Sequence, residues 1–186
     1  MSHKNIEVEF RAVIKEEKYN KLKSFLSKNA QDLGTDDKDV CFYIFPDKLL
    51  KVVNNISQNS AKIVLKLNKI GLGSAFEEIE IKIDDKDIEK ANFLFDCLGY
   101  QEVINSFQKR QNFLYKGVEI ALKYSDDWGY HLEMEILIND INDQEKAEKK
   151  IFKIADELGV HLLSDDELKK IVFIIEEKYR NNNKNK

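Results

Sequence analysis

Residues 6–14 read IEVEFRAVI, and this stretch decides how the rest of the chain is interpreted. Apolar and charged residues alternate along it, with Glu7, Glu9 and Arg11 at every second position. Successive side chains of a strand point to opposite faces, so this period of two predicts a strand with one apolar face and one charged face. In a sheet built from such strands, other elements must cover the apolar face, and the concentration of charge on the other face needs an explanation.

Further strand patterns follow along the chain, and helical patterns interrupt them. We predict strands over residues 5–14, 40–45, 49–53, 61–68, 76–83, 103–115, 117–124 and 130–138. Helical spacing predicts helices over residues 16–29 and 84–99, a third that ends at Gly159, and a fourth that opens with a capping box at Ser164–Glu167. Runs of strands without regularly alternating helices favour a largely antiparallel α+β fold over a doubly wound parallel sheet.

Length and composition limit the class of protein. The 186 residues predict a single domain over residues 1–180, followed by a disordered polar tail over residues 181–186. Hydrophobic residues make up 42% of the chain, which argues against disorder, and a net charge of −4 gives no electrostatic footprint for nucleic acid. The two cysteines suit a reducing compartment, and no apolar run approaches the ~18 residues of a membrane span. We therefore expect a cytoplasmic monomer or homodimer without a nucleic-acid or membrane partner.

The charged faces of the predicted strands are the most informative feature. The pattern Glu-x-Glu occurs on three of them, and two of the three arginines lie on the same faces. An ordinary half-exposed sheet with a solvated polar face is the simpler interpretation of any one strand taken alone. The acidic pairs are Glu7 and Glu9, Glu78 and Glu80, and Glu133 and Glu135; the bases beside them include Arg11, Lys62, Lys66, Lys82, Arg110 and Lys123.

A closed barrel offers a second interpretation of the same faces. The apolar faces would then point outward beneath the amphipathic helices, and the charged faces would line a lumen. Such a lumen is costly unless compensating charges, water, a metal or a polyanionic ligand fill it. Carboxylates suit the hard cations Mg²⁺ and Mn²⁺, and lysine and arginine suit phosphate oxygens. Both sets together describe a site for a complex of metal and polyphosphate.

At this point the sequence resembles the CYTH, or triphosphate tunnel metalloenzyme, superfamily. Matching segments occur in the family's order between Ile6 and Ile138: IEVEFRAVI, then VLKLNK from Val64, EEIEIKI from Glu77, QKRQNFLY from Gln108 and WGYHLEMEI from Trp128. The resemblance implies an eight-stranded antiparallel tunnel with a charged lumen and flanking helices. It also implies binding of a triphosphate-containing small molecule with a divalent metal, Mg²⁺ or Mn²⁺.

The resemblance assigns expected roles to individual residues. The catalytic set is Glu7, Glu9, Arg11, Lys66 and Arg110; the expected metal ligands are Glu78, Glu80, Glu133 and Glu135; the bases expected to bind substrate are Lys51, Lys62, Lys82 and Lys123. The chain departs from the family pattern at four positions. Lys51 is followed by Val53 rather than by a second base. Arg11 stands where lysine is usual, Gln108 where a further base is common, and Lys123 where an acid is often found.

The leading hypothesis is metal-dependent hydrolysis of inorganic tripolyphosphate or of an organic or nucleoside triphosphate. Conversion of ATP to cyclic AMP and pyrophosphate is the alternative reaction, and a non-catalytic polyphosphate or nucleotide-binding module is the alternative class. No side chain stands out as a general base. Gly71-Leu72-Gly73 is interpreted as a hairpin turn, because the further glycine and the following helix of a nucleotide-binding loop are missing. Trp128 is expected to anchor a turn, and His131 has no assigned role.

Overall fold

The computed structural model describes residues 6–100 and 103–183, which form one nine-stranded sheet and four α-helices. The strands are β1 (Ile6–Val13), β2 (Gln31–Thr35), β3 (Lys38–Ile44), β4 (Leu49–Asn55), β5 (Ser60–Lys66), β6 (Ala75–Ile83), β7 (Val103–Tyr115), β8 (Val118–Ser125) and β9 (Gly129–Ile138). The helices are α1 (Glu16–Asn29), α2 (Ile88–Cys97), α3 (Gln144–Glu157) and α4 (Asp165–Asn183). None of the helices in these described residues is long and apolar enough to cross a membrane.

Eight of the strands close into a barrel. Their order is β7-β3-β4-β5-β6-β1-β9-β8, and β8 pairs with β7 to complete the circle. Every pairing is antiparallel. The predicted α+β class and the predicted closed antiparallel barrel are therefore confirmed.

The ninth strand, β2, was not predicted from the sequence. Residues 31–35 read QDLGT, which has no apolar alternation and contains a glycine. β2 pairs with residues 111–114 of β7, beyond the segment of β7 that pairs with β3. Its side chains are mostly exposed, so the pairing depends on a distant partner strand rather than on a local pattern.

The helices cover the apolar outer face of the barrel, as predicted. Leu26 of α1 and Ile151 of α3 are fully buried in one core with residues of β1, β7, β8 and β9. This core includes Val8, Phe113, Ile120, Leu132 and Met134. α2 packs on the opposite side, where Ala91 joins a second core with Leu50 and Val52 of β4. The cover is incomplete, because Ile79 and Ile81 of β6 are 50% and 55% exposed.

The fourth helix crosses one end of the barrel. It begins with the predicted capping box, in which the Ser164 amide donates a 2.8 Å hydrogen bond to the Glu167 carboxylate. Gly71 has a positive φ of 88°, and a Cβ at this position would lie 2.9 Å from Cγ of Lys169, so glycine allows the helix to approach. α4 continues to Asn183, three residues into the segment predicted as a tail, and residues 184–186 lie outside the described residues.

Candidate active site

The inward side chains of the barrel line a cavity of about 280 Å³, close to the lower end of the ~300–1,000 Å³ usual for small-molecule sites. Val172, Ile175 and Glu176 of α4 line it as well. The charged side chains that line it are Glu7, Glu9, Arg11, Asp36, Lys38, Lys48, Lys51, Lys62, Lys66, Lys69, Glu78, Glu80, Arg110, Glu119, Lys123, Asp127, Glu133, Glu135 and Glu176. The charged lumen predicted from the sequence is therefore present.

Three carboxylates converge where β1 and β9 pair. The register places Glu9 opposite Glu135, and Glu7 is two residues before Glu9 on the same face of β1. One oxygen from each of Glu7, Glu9 and Glu135 lies within 4.8 Å of the other two. Burial and the nearby Glu7 raise the pKa of Glu135 to about 8. The fold therefore concentrates negative charge at this point, and Arg110, whose Nη2 lies 3.8 Å from the Glu135 carboxylate, offsets that charge only in part.

Lys66 of β5 forms ion pairs with glutamates on two other strands, β1 and β6. Its Nζ lies 2.6 Å from Glu7, 3.0 Å from Glu9 and 2.8 Å from Glu78. Burial opposes the charge of Lys66, but the three carboxylates outweigh burial and raise its pKa well above the usual value. Lys66 is therefore a permanently charged ammonium group beside the carboxylate cluster.

Glu133 is surrounded by bases. Its carboxylate lies 3.0 Å from Arg11 Nε, 2.9 Å from Lys123 Nζ and 3.4 Å from Arg110 Nη1. Burial alone would raise the pKa of Glu133, but Lys123, Arg11 and Arg110 hold it well below the usual value. Burial lowers the pKa of Lys123 to about 8 in spite of its ion pair with Glu133. Glu133 thus organises three bases within the lumen.

Arg110 is fixed by a residue that the sequence did not single out. Asp36 lies between β2 and β3, is buried, and approaches Arg110 Nε at 3.5 Å and Lys38 Nζ at 2.6 Å. Asn112 accepts a 2.7 Å hydrogen bond from the same Arg110 Nε. The burial of Asp36 is set by the pairing of β2 and β3 with β7, and no local sequence pattern signals that pairing.

The other predicted site residues differ in their surroundings. Lys62 pairs with Glu80, and both line the cavity. Lys51 lines the cavity without an ion pair or hydrogen bond of its side chain in the described residues, and burial together with Lys66 lowers its pKa to about 8. Lys82 is exposed and does not line the cavity. The structure thus brings together all of the predicted site residues except Lys82.

His131 and Trp128 also line the cavity. Their rings lie 5.6 Å apart, and the Arg11 guanidinium lies 5.7 Å from the Trp128 ring centroid. Burial, followed by the charge of Lys123, lowers the pKa of His131 to about 4. The imidazole is therefore neutral near pH 7 and adds no charge to the lumen.

One wall of the lumen is apolar, a feature that the sequence analysis did not predict. Val40, Phe42, Val53 and Ile104 line the cavity from β3, β4 and β7. Val40 and Val53 are 5% and 3% exposed and form an interior cluster with Val64. The lumen therefore has a charged side and an apolar side.

The converging carboxylates fit a divalent cation. Mg²⁺ and Mn²⁺ prefer oxygen ligands, and opposite ligands of an octahedral Mg²⁺ lie about 4 Å apart. Neighbouring ligands lie about 3 Å apart, so the oxygens of Glu7, Glu9 and Glu135, now within 4.8 Å of one another, would have to move closer to share one cation.

Solved structures share this architecture. The PH1819 protein of Pyrococcus horikoshii superposes with a TM-score of 0.71 at 26% identity, covering 87% of this chain and 97% of that one. The Hippeastrum protein HpAC1, for which a dominant triphosphatase activity is described, has a TM-score of 0.60 over 85% of this chain and 89% of its own. Its identity of 16% limits that likeness to the fold.

Sequence comparisons identify the family. A protein of Methanocaldococcus jannaschii, provisionally named as an adenylate cyclase, is 33% identical over 95 residues. The match covers 51% of this chain and 52% of that protein, so the chain spans about half the length of this curated relative. The family model of the CYTH domain matches residues 5–167. The chain belongs to the CYTH domain family.

Proposed function

We propose that the protein hydrolyses a triphosphate with the help of a divalent metal inside the barrel. The observation that carries the proposal is the convergence of Glu7, Glu9 and Glu135 in a lumen that also holds Arg11, Lys51, Lys66, Arg110 and Lys123. Clustered carboxylates suit a hard cation, and clustered guanidinium and ammonium groups suit phosphate oxygens. A metal–triphosphate complex satisfies both sets at once.

The bases are proposed to bind the phosphates. Arg11 and Arg110 present planar forks that fit phosphate oxygens, and both are already oriented by Glu133. Lys51 has no ion pair of its own in the described residues, so an arriving anion has no ion pair to break there. Lys62 and Lys123 are paired with Glu80 and Glu133. They would contribute further positive charge by binding phosphate oxygens in place of these glutamates or together with them. Lys82 is left out of this set because it is exposed and does not line the cavity.

Glu7, Glu9 and Glu135 are proposed to hold the metal. The cation would neutralise charge on the phosphate oxygens and favour displacement at phosphorus. Of the four carboxylates expected at the metal, Glu135 keeps that role in the proposal. Glu133 and Glu78 are instead assigned to orienting Arg11, Arg110, Lys123 and Lys66, which they contact. Glu80 is assigned to Lys62 in the same way.

The chain's own contribution to the reaction is electrostatic positioning. Phosphoryl transfer asks for little covalent help, and fixed charges aimed at the reacting oxygens lower its barrier. The burial of Arg11, Lys66, Lys123 and Glu133 keeps water from screening these charges. No side chain in the lumen is assigned as a general base.

Two other activities remain as alternatives. The Methanocaldococcus jannaschii relative is provisionally named as an adenylate cyclase, which raises cyclisation of ATP. The triphosphatase activity described for HpAC1 supports hydrolysis on the same fold. Products separate the two reactions, because cyclisation releases pyrophosphate and cyclic AMP, whereas hydrolysis releases phosphate. A binding module would be stabilised by tripolyphosphate without any turnover.

Phosphate release from tripolyphosphate with Mg²⁺ or Mn²⁺ tests the proposal, with ATP as a second substrate for product analysis. We expect release that EDTA abolishes, and a loss of about a hundredfold or more in Glu9→Gln and Glu135→Gln. Glu145→Gln, on the exposed surface of α3, is the control and should leave the rate unchanged. Full activity in EDTA, or full activity of Glu135→Gln, rejects metal-dependent hydrolysis at this site.

A further inference from the structure

The apolar side of the lumen is continuous across three strands. Val40 and Phe42 of β3, Val53 of β4 and Ile104 of β7 all line the cavity. Their register explains the continuity, because Val40 pairs with Val53 and Phe42 pairs with Ile104. Side chains two apart on a strand share one face, so these residues form a single patch.

This patch does not serve the packing of the helices. The next residues along β3 and β4, including Tyr43 and Val52, point outward and form the core beneath α2. Strands β3 and β4 therefore carry apolar residues on both faces, with Lys38 and Lys51 also on the inner side, whereas β1 and β9 carry mainly acids and bases on their inner faces. A polyanion alone has no favourable contact to make with an apolar wall, since its charged oxygens lose hydration there without gaining a partner.

Lys51 joins the apolar patch to the charged side. It pairs with Phe42 in the register and lines the cavity between the patch and Lys66. In the described part of the chain its ammonium group has no ion pair or hydrogen bond, unlike Lys62, Lys66 and Lys123. If a phosphate group bound Lys51, an organic group attached to that phosphate would lie against Phe42 and the other apolar residues of the patch.

We propose that the protein prefers an organic triphosphate, whose apolar group lies against Val40, Phe42, Val53 and Ile104, to inorganic tripolyphosphate. This inference rests on the proposed function, because it assumes that the charged side of the lumen binds the phosphates. Ser106 and Gln108 line the cavity next to the patch, and their side chains make no hydrogen bond within the described residues. They leave uncharged hydrogen-bonding groups for polar atoms at the edge of the organic group.

Binding of three analogues that cannot be hydrolysed tests this inference. Tripolyphosphate with imido bridges, its methyl ester and its phenyl ester are titrated calorimetrically into the protein with Mg²⁺. Each methylene in an apolar pocket changes affinity by about 10–200-fold, so the phenyl ester should bind at least about tenfold more tightly than the methyl ester. Equal affinities of the two esters overturn the inference.

Two neighbouring valines provide a matched pair of variants. Val53→Thr places a hydroxyl on the lumen patch, and Val52→Thr places the same group in the core beneath α2. Val53→Thr should weaken the phenyl ester by about fivefold and leave inorganic imidotriphosphate unchanged. Val52→Thr should leave both affinities unchanged. An equal loss for both ligands in Val53→Thr overturns the inference, and the comparison of esters on the unaltered protein needs neither variant to fold.

The outcomes separate the two proposals. If inorganic imidotriphosphate binds but the phenyl ester gains nothing over the methyl ester, the organic-substrate inference fails and the proposed function stands. If none of the three analogues binds, the proposed function fails and takes this inference with it.

Discussion

The Lys66 ammonium group lies 3.0 Å from the Glu9 carboxylate, although their strands, β5 and β1, do not pair and β6 lies between them. Both side chains are buried. Curvature of the charged faces toward a common interior brings these two residues together across the intervening strand and shields their contact from water. This contact is thus the clearest sign that the polar faces line a lumen and not an open sheet.

Lys66→Met should destabilise the protein strongly. The substitution leaves Glu7, Glu9 and Glu78 without their shared base, and removing one partner of a buried ion pair costs about 3–5 kcal/mol. Urea unfolding of the metal-free protein measures the loss. Lys62→Met on the same strand is the control, because its pair with Glu80 is much more exposed and such pairs contribute under about 1 kcal/mol. Similar losses in the two variants would contradict the central role of Lys66.

Arg11→Lys should lower both stability and phosphate affinity, although the charge is kept. Arg11 reaches two carboxylates at once, with Nη2 2.5 Å from Glu9 and Nε 3.0 Å from Glu133. Lysine places one nitrogen where arginine places both Nε and Nη2, so we expect one of the two carboxylate contacts to lengthen, at a cost of about 1.5–3 kcal/mol. Thermal unfolding and the KM for tripolyphosphate measure the two effects. Unchanged values for both would mean that the family's usual lysine serves equally well here.

The stability of the metal-free protein should fall as pH rises toward 8 because of Glu135. The fold raises the pKa of this carboxyl from 4.5 to about 8, so it favours the protonated form. The stability gained is complete below pH 4.5 and is lost as pH rises through 8. Between pH 6.5 and 7.5 we expect the Tm of the unaltered protein to fall by about 3 °C relative to that of Glu135→Gln, in which the opposing changes from Lys51, Lys123 and His131 are retained.

Glu135→Gln should reduce the fall in Tm with rising pH, because glutamine imitates the protonated acid at every pH. Glu80→Gln, which removes a carboxylate at a more exposed ion pair, should keep the fall. Saturating Mg²⁺ should also reduce it in the unaltered protein, since a cation stabilises the charged carboxylate. A steep dependence that persists in Glu135→Gln would assign the effect to another group.

Asp127→Asn should loosen the docking of α4. The Asp127 carboxylate, whose side chain is 4% exposed, lies 3.0 Å from Lys178 Nζ and accepts a 3.1 Å hydrogen bond from the Tyr179 hydroxyl. We expect faster amide hydrogen exchange across residues 165–183 and little change in the barrel strands. Asp126→Asn is the matched control, because Asp126 is exposed and contacts neither residue of α4. Equal exchange in the two variants would show that this contact does not hold the helix.

The charged strands could be predicted because their sequence pattern is local. In residues 6–11 apolar and charged residues alternate at every step, and polar and apolar residues alternate in the same way in residues 131–136. Which carboxylates meet was not predictable in the same way. Glu9 and Glu135 come together through the register of β1 with β9. Lys66 of β5 contacts Glu78 on β6 and also Glu9 on β1, one strand further around the barrel. Neither the register between two strands nor the curvature of the barrel can be read from the sequence of a single strand.

The apolar wall and β2 escaped prediction for related reasons. Residues 40–45 are apolar on both faces and residues 49–53 are apolar except at Lys51, so alternation gives little indication of which side faces the lumen. β2 could not be predicted because its sequence, QDLGT, has no apolar face. It forms a strand by pairing with β7. The burial of Asp36 follows from that pairing, which is why its contact with Arg110 was missed.

Diffraction from crystals soaked in Mn²⁺ and imidotriphosphate tests the central claim most directly, because anomalous scattering locates manganese without ambiguity. We predict a manganese peak bounded by Glu7, Glu9 and Glu135, with phosphate density reaching Arg11, Lys66 and Arg110. Manganese and phosphate bound only on the outer surface, with the lumen filled by water, would contradict the account.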